Sequence, residues 1–424
     1  MTPALIFIGL VAMILMGVPI AVSVGGISLF VMHENISALP LMAQRMYSST
    51  TGFTLLAIPF FILAGNLMNT GGITDKIFRF AKATVGHYWG GLGQVNIVSS
   101  VIFSGMSGAA VADAAGLGKI EIKAMVDDGY DSRFASAITA ASSTIGPVIP
   151  PSIPFVVYGS LTGVSVGKLF LAGMVPGVLM AIAMAVAVNV ISRRRNYPRR
   201  PEASNSEVWE SFKEALLPLL TPIIIVGGIL GGMFTPTEAA VVACLYAIFL
   251  SSVVYRALTL SNMMYILKDT LICTVKVMFI IAAAGFFSWV LIFQQIPQNL
   301  ISGLVNVTDS PAILLLIMIG VLLVLGMFLE GIAVILICVP IFMPLVQMIG
   351  MDPIQFGVIM ILASMIGLLS PPVGMCLYAV AAISNVTVTA LSKEVLPYIL
   401  GILLVLFAVA FIPALSLTAT YLIG

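Results

Sequence analysis

Long apolar segments separated by short polar ones occupy almost the whole chain, and their lengths predict a bundle of membrane-crossing helices. Residues 3–31, 166–191 and 260–293 are each long enough to cross a bilayer, which takes about 20 residues per helix. Residues 95–103 and 109–117 are each too short to cross, and a Ser/Gly-rich tip joins them. This pair predicts a re-entrant helical hairpin that enters and leaves the membrane on one side.

Part of this pattern recurs at a fixed spacing of 221 residues (326 minus 105). The positions that recur are Gly105 and Gly326, Gly146 and Gly367, Pro150 and Pro371, and Pro151 and Pro372. Proline has no backbone N–H and disrupts the preceding helical turn, so each double proline predicts a break inside an apolar helix. A repeat with such breaks is typical of transporters with interrupted helices.

These features predict an all-α polytopic membrane protein made of two inverted repeats, each with a re-entrant hairpin and a broken transmembrane helix. Between the starts of the two halves, at Pro19 and Pro236, we count an odd number of crossings, which predicts the inversion. The predicted units are residues 1–192 (repeat 1, hairpin about 92–118, broken helix about 134–161), the linker 193–217, a connecting transmembrane helix at 218–232, and residues 233–424 (repeat 2, hairpin about 311–346, broken helix about 354–384).

Composition supports a membrane protein and excludes several other classes. Hydrophobic residues make up 60% and charged residues 8% of the chain, whereas a soluble domain carries roughly 25% charged residues. The net charge of +1 gives no indication of a nucleic-acid partner. The four cysteines lie singly in apolar segments, which indicates neither a disulfide framework nor a zinc site.

The distribution of basic residues predicts the orientation, because lysine and arginine collect on the cytoplasmic side. If the linker 193–217 is cytoplasmic, every Lys and Arg faces inward except Arg45 and Lys168. The first hairpin then opens to the cytoplasm and the second to the periplasm.

The breaks themselves suggest ion chemistry. Carbonyls of residues 146–149 and 367–370 are expected to lack intrahelical donors, which is tolerable in a membrane if they face a cavity and bind a cation such as Na⁺. The glycines at the breaks and tips would let peptide oxygens approach closely. Polar side chains lie near the same points, namely Ser104, Ser107, Ser142, Ser143, Thr144, Ser152, Ser370 and Asn385.

Several other polar residues leave two interpretations open. Asp113 could hold a cation or tie the first hairpin to its neighbour, and we favour the tie. Glu330 is expected at the second hairpin tip or a gate, and Asn66 could face either the cavity or another helix. Thr235-Pro236-Thr237-Glu238 reads as a helix capping box.

An enzyme is not expected. Residues 105–108 slightly resemble the serine motif of an intramembrane protease, but no histidine is predicted at membrane depth to act as its base. The chain contains no H-E-x-x-H and no P-loop motif, so transport would draw on an ion gradient or another subunit. A plain channel or stand-alone permease remains the alternative.

Four segments, residues 57–66, 103–113, 146–152 and 235–240, resemble the large membrane subunit of TRAP (tripartite ATP-independent periplasmic) transporters. The resemblance spans the whole chain, and overall it looks most like the sialic-acid branch. It implies a Na⁺-driven importer of sialic acid or C4-dicarboxylates in the bacterial inner membrane that works by an elevator mechanism. It also implies two partners besides membrane lipid: a separate small four-helix membrane subunit and a periplasmic substrate-binding protein.

The resemblance also implies positions for the ligands. The first Na⁺ site would involve Ser104, Gly105, Ser107, Ser143, Gly146 and Ile149, and the second Gly326, Gly367, Ser370 and Gly374. The substrate would lie between the hairpin tips, with Asn66, Ser107, Ser152 and Asn385 as candidate contacts. No organic cofactor is expected.

Overall fold

The computed structural model describes residues 3–33, 38–70, 72–305 and 308–423, and these residues form helices and turns without any β-strand. In chain order the α-helices are α1 (Pro3–Leu15), α2 (Ile20–Val31), α3 (Ala38–Thr50), α4 (Ala57–Thr70), α5 (Ile73–Val85), α6 (Gly91–Ser107), α7 (Ala110–Asp127), α8 (Ser132–Ser143), α9 (Ile153–Thr162), α10 (Val166–Arg194), α11 (Asn205–Leu230), α12 (Pro236–Phe249), α13 (Leu260–Phe293), α14 (Ile296–Val305), α15 (Pro311–Gly326), α16 (Gly331–Met348), α17 (Pro353–Leu368), α18 (Met375–Ser384), α19 (Val388–Glu394), α20 (Leu396–Phe411) and α21 (Ala414–Leu417). Short 3₁₀ segments at Phe53–Leu56 and Thr418–Ile423 and a π turn at Leu250–Val254 complete the order.

Helix length and composition make this a multi-pass membrane protein. Within the described ranges, 5 helices are long and apolar enough to cross a bilayer, or up to 8 if each bent pair counts as one span. The five are α10, α11, α12 with the π turn, α13 and α16. Helices α1, α2, α9, α15 and α17 are apolar but shorter, as half-spans and hairpin arms would be.

The N-terminal apolar segment is two helices, not the single span expected over residues 3–31. Gly17 adopts a left-handed conformation (φ 84°) and Pro19 follows it, so the chain turns between α1 and α2. A Cβ on Gly9 would lie 3.0 Å from the Ile27 side chain, which shows that α1 and α2 pack against each other. Gly17 and Pro19 were the available signal for this turn, and the continuous hydrophobicity of residues 3–31 outweighed it in the prediction.

The second arm of the first hairpin is also longer than expected. We predicted its end near residue 118 and a polar loop beyond, whereas α7 continues to Asp127. Its buried positions include Leu117, Glu121 and Met125, four residues apart, so one helical face is buried while lysines occupy the other. The polar residues that suggested a loop are therefore the solvated face of a helix.

The two hairpins and the two broken helices pack reciprocally. Arm α7 of the first hairpin lies against α18, the second half of the second broken helix, and arm α16 lies against α9. The bounds of α7 and α16 are separated by the same 221 residues at both ends (331 minus 110, 348 minus 127). The Pro150–Pro151 and Pro371–Pro372 peptide bonds are both cis.

Two groups of helices surround the breaks. The hairpin group consists of α6–α10 and α15–α20, in which α10 packs against α6, α17 and α20. The frame consists of α2–α5 and α11–α13, in which α13 packs against α2, α3 and α4, and α11 against α5. The groups meet where α4, α5 and α11 touch α6 and where α13 touches α16.

Candidate functional site

The first helix break lies between α8 and α9 and leaves peptide oxygens unused. Ser152 caps α9, because its hydroxyl donates to the Pro147 carbonyl and accepts the Phe155 amide at 3.3 Å. Among the described residues, the carbonyls of Gly146 and Ile149 accept no hydrogen bond. These are two of the peptide oxygens predicted to bind a cation, and both are available to do so.

A carboxylate lies between the tip of the first hairpin and this break. The Ser107 hydroxyl donates to Oδ1 of Asp113, whose side chain lies in the first turn of α7. A Cβ on Gly146 would lie 2.5 Å from Asp113 Oδ2, so only glycine lets the break approach this carboxylate. This hydrogen bond ties the two arms of the first hairpin to each other, whereas the tie that we favoured would join the hairpin to a neighbouring helix. Oδ2, however, faces the break rather than Ser107, which leaves it available to a cation as well.

The second break is held against the second hairpin by backbone contacts. The Gly374 amide donates to the Met327 carbonyl at 3.2 Å, which links the start of α18 to the hairpin tip. A Cβ on Gly367 would lie 2.3 Å from the carbonyl carbon of Gly326, so α15 and α17 cross backbone to backbone. Both glycines are thus required by packing, whatever else they do.

Free carbonyls are placed differently in the two breaks. The Gly367 carbonyl accepts the Ser370 amide at 2.9 Å, unlike the Gly146 carbonyl of the first break. The carbonyls of Leu368, Leu369 and Ser370 accept no hydrogen bond from the described residues. Of the carbonyls at residues 367–370 that we predicted to bind a cation, that of Gly367 is therefore hydrogen-bonded within the turn, and the other three are available.

Three of the four hydroxyls predicted to bind Na⁺ donate within their own helix or turn. Ser104, Ser143 and Ser370 each donate to the carbonyl three or four residues earlier, at 2.6, 2.8 and 2.8 Å. A hydroxyl that donates in this way keeps its oxygen lone pairs for another partner. These oxygens can therefore serve as cation ligands, although the same bonds are also common in helices that bind nothing.

The two halves of the molecule meet at α18, which packs against α7 and α8 of the first half. The second broken helix and the first break thus lie beside one another in one central region. Glu330 is the N-cap residue of α16, a helix that packs against α13 of the frame. No group of three or more His, Cys, Asp or Glu side chains that could hold a transition metal occurs among the described residues.

Two glycines of the first half lie where the tip of the first hairpin meets the frame, one on each side of the contact. A Cβ on Gly105 would lie 2.7 Å from Pro222 of α11, so this predicted ion-site residue marks a close helix crossing. A Cβ on Gly65 of α4 would lie 3.2 Å from the Ser107 Cα, at the tip of the first hairpin. The hairpin tip is therefore packed closely between two frame helices.

The remaining substrate candidates do not converge. The Asn66 amide donates to Asp269 and Thr270 of α13, both at 3.1 Å, so it faces another helix, the second of the two alternatives. Ser152 is fully buried and occupied with capping. Asn385 is exposed at the C-terminal end of α18, which is about 15 Å along that helix from the break.

These features have counterparts in known proteins. Residues 7–415 match the family described as "Tripartite ATP-independent periplasmic transporter, DctM component". The chain belongs to this family. It is similar to the sialic acid TRAP transporter large permease protein SiaM of Vibrio cholerae, with 46% identity over 410 residues and 96% of each chain covered. It is also similar to the C4-dicarboxylate TRAP transporter large permease protein DctM of Pseudomonas aeruginosa, with 41% identity over 376 residues, 89% of this chain and 88% of the relative.

A solved structure shares the fold of this DctM-family chain. The Alcanivorax borkumensis YdaH transporter is similar with a TM-score of 0.65 at 14% identity, covering 92% of this chain and 90% of that one. At this identity the likeness concerns the fold alone. The relatives compared at higher identity are transporter permeases, in agreement with the expectation that the chain is not an enzyme.

One polar network in this DctM-family chain was not anticipated. The Asn96 amide donates to Thr139 at 2.7 Å and its oxygen accepts from Ser142 at 2.6 Å, all three being buried. The network joins α6 to α8 just before the first break. An asparagine in the short apolar arm of the predicted hairpin was the available signal, because a buried amide in a membrane helix needs a polar partner.

Proposed function

We propose that this chain is the large membrane subunit of a Na⁺-coupled secondary importer for a carboxylate-bearing organic anion. The observation that supports this most is the cluster of Ser107, Asp113 and Gly146. A carboxylate at membrane depth costs roughly 2.5–3.5 kcal/mol on insertion scales, which a bound cation would offset. Carboxylate, hydroxyl and peptide oxygens are the hard ligands that a small cation such as Na⁺ favours.

The substrate we propose is sialic acid, with a C4-dicarboxylate as the second candidate. The relative named for sialic acid is 46% identical, and the one named for C4-dicarboxylates is 41% identical. No Lys or Arg lies within the breaks, so the carboxylate would be held by hydroxyls and by the N-termini of the half-helices α9 and α18. Na⁺ bound nearby would add a positive charge.

The proposal includes a location and two partners. The chain would lie in the bacterial inner membrane with the linker 193–217 in the cytoplasm, and it would work with a small four-helix membrane subunit and a periplasmic binding protein. Helix bounds that recur at 221 residues support two related halves, which we take to be inverted.

Transport would follow an elevator mechanism in which the hairpin group moves against the frame. Two separate sets of ion pairs support this division. In the hairpin group, Arg195 at the end of α10 pairs with Glu394 of α19 at 2.5 Å. Arg200 of the linker pairs with Asp128 at the end of α7, also at 2.5 Å. In the frame, Glu214 of α11 binds Arg79 and Lys76 of α5 at 2.6 and 3.5 Å.

The linker then divides at a short segment between the two sets. Residues up to Arg200 are attached to the hairpin group, and the Tyr130 hydroxyl also donates to the Pro198 carbonyl at 3.1 Å. Ser204 caps α11 of the frame. Within the linker, residues 201–203 are held by neither set, and we assign the hinge of this connection to them.

The function is tested by uptake into proteoliposomes that contain this chain and its small subunit, with the binding protein outside. We expect labelled sialic acid to accumulate only when Na⁺ and the binding protein are both present. Uptake that persists when K⁺ or choline replaces Na⁺ would refute the coupling. Transport by this chain without a binding protein would favour the stand-alone permease instead.

The elevator is tested with a reversible crosslink between the frame and the hairpin group. A Cβ on Gly116 of α7 would lie 3.2 Å from Cγ of Asn69 on α4, so the Asn69→Cys/Gly116→Cys pair lies within disulfide range. We expect oxidation to stop uptake and reductant to restore it, because the groups could no longer move apart.

The matched control is a crosslink within the hairpin group, since a Cβ on Gly401 would lie 3.2 Å from that of Ala183. Oxidised Ala183→Cys/Gly401→Cys carrier should keep its uptake. Equal uptake by the oxidised and reduced forms of the first pair, with crosslinking verified on a gel, would contradict the elevator.

A further inference from the structure

A cavity lies where several helices end on one side of the molecule, at the end of α9 that is remote from the first break. Its volume is ≈ 540 Å³, within the range of sites that hold small organic molecules. Its lining includes Thr54, Ser160, Ser165, Lys168 and Phe234, and we call it the vestibule. Lys168 lies in the first turn of α10, whose 29 residues place the vestibule about 43 Å from Arg193 and Arg194 at the other end of the helix.

Lys168 determines the charge of the vestibule. It is the only ionisable side chain in the lining, and its Nζ forms no ion pair or hydrogen bond with any described residue. Two helices, α10 and α12, begin at the vestibule and two, α9 and α11, end there, so their dipoles largely offset one another. A half-buried lysine without a counter-ion therefore leaves the cavity positive.

Hydroxyl groups surround this charge. The hydroxyls of Thr54 and Ser160 form no hydrogen bond within the described ranges, and that of Ser165 accepts only the Lys168 amide, at 3.4 Å. A carboxylate on Lys168 would thus find several donors close by. A ligand with further hydroxyls could also use the free carbonyls at the helix C-termini.

The walls of the vestibule come from both groups of helices. The ends of α9 and α10 belong to the hairpin group, and the residues around Gly52 and Phe234 belong to the frame. The half-helix α9, about 15 Å long, connects the vestibule to the first break. A solute in the vestibule would therefore lie one half-helix away from the central region.

We propose that the vestibule is a first binding site for the anionic substrate on its way to the centre, with Lys168 binding the carboxylate. The proposal rests on the proposed function for the identity of the anion. The vestibule concentrates the anion next to the half-helix that leads to the break, and Lys168 acts before transport rather than during it.

Uptake kinetics test the proposal in the complete three-component system. We expect Lys168→Glu to raise the apparent KM for sialic acid by about threefold or more at low salt, with the maximal rate retained and the effect shrinking as ionic strength rises. The control is Lys393→Glu, which makes the same charge change on an exposed lysine of α19. An unchanged KM, or a change only in the required concentration of binding protein, would overturn the assignment.

A second measurement reads the charge of the vestibule without any transport. Ser165→Cys should react faster with an anionic than with a cationic methanethiosulfonate reagent, and adding Lys168→Glu should reverse that order. A cysteine at exposed Ser302 of α14 should show no effect of Lys168→Glu. A reversed order with no sialic acid uptake would refute the proposed substrate and keep the anion site, whereas an unreversed order would refute the site.

Discussion

Gly367→Ala is expected to abolish uptake and to lower the thermal stability of the carrier. The new Cβ would lie 2.3 and 2.4 Å from the carbonyl carbon and Cα of Gly326, where a normal carbon–carbon contact is about 3.5–4.0 Å. Because the obstructing atoms are backbone, no rotamer change can relieve the clash, and α15 must separate from α17. Overpacking of this kind costs about 1–3 kcal/mol and would displace the second hairpin from the second break.

Two other glycines provide a graded comparison. Gly326→Ala places its Cβ 3.1 Å from the Gly367 Cα, so we expect lowered but measurable uptake. Gly320→Ala, on the same helix, meets nothing within 4 Å and should behave like the wild type. Thermal unfolding and uptake would be measured side by side for all three variants. Wild-type behaviour of Gly367→Ala would show that the two helices do not cross as described.

The breaks could be predicted from sequence because their cause is local. A double proline inside an apolar segment interrupts a helix whatever surrounds it, and α8 and α17 end where that signal placed them. The hydroxyl cap at Ser152 and the capping box at Thr235–Glu238 are local in the same sense, and the capping box was predicted and is present.

Which neighbour each side chain meets could not be predicted, because it depends on tertiary packing. Gly105 contacts Pro222, which is remote in sequence, so its match with Gly326 says nothing of its surroundings. From the sequence, Asn66 could face either the cavity or another helix, and only the position of α13 decides between the two. The packing of α18 against α8 joins the two halves of the chain, and no local pattern marks it.

Asp113→Asn is expected to raise the Na⁺ concentration needed for half-maximal uptake by about tenfold or more, which corresponds to about 1.4 kcal/mol of lost binding free energy. Asparagine keeps an oxygen that can accept from Ser107, so the tie survives while the charge facing Gly146 is lost. Ser107→Ala does the reverse, since it removes the tie and keeps the charge. We therefore expect Asp113→Asn to have the larger effect on Na⁺ dependence.

Equilibrium binding of radioactive Na⁺ to the purified membrane complex, without substrate, tests the central claim most directly. The account predicts saturable binding that unlabelled Na⁺ displaces and K⁺ does not, with Asp113→Asn shifted to about tenfold higher Na⁺. No saturable Na⁺ binding by the wild-type complex, or identical binding curves for it and Asp113→Asn, would contradict the assignment of a Na⁺ site to the hairpin tip and the first break.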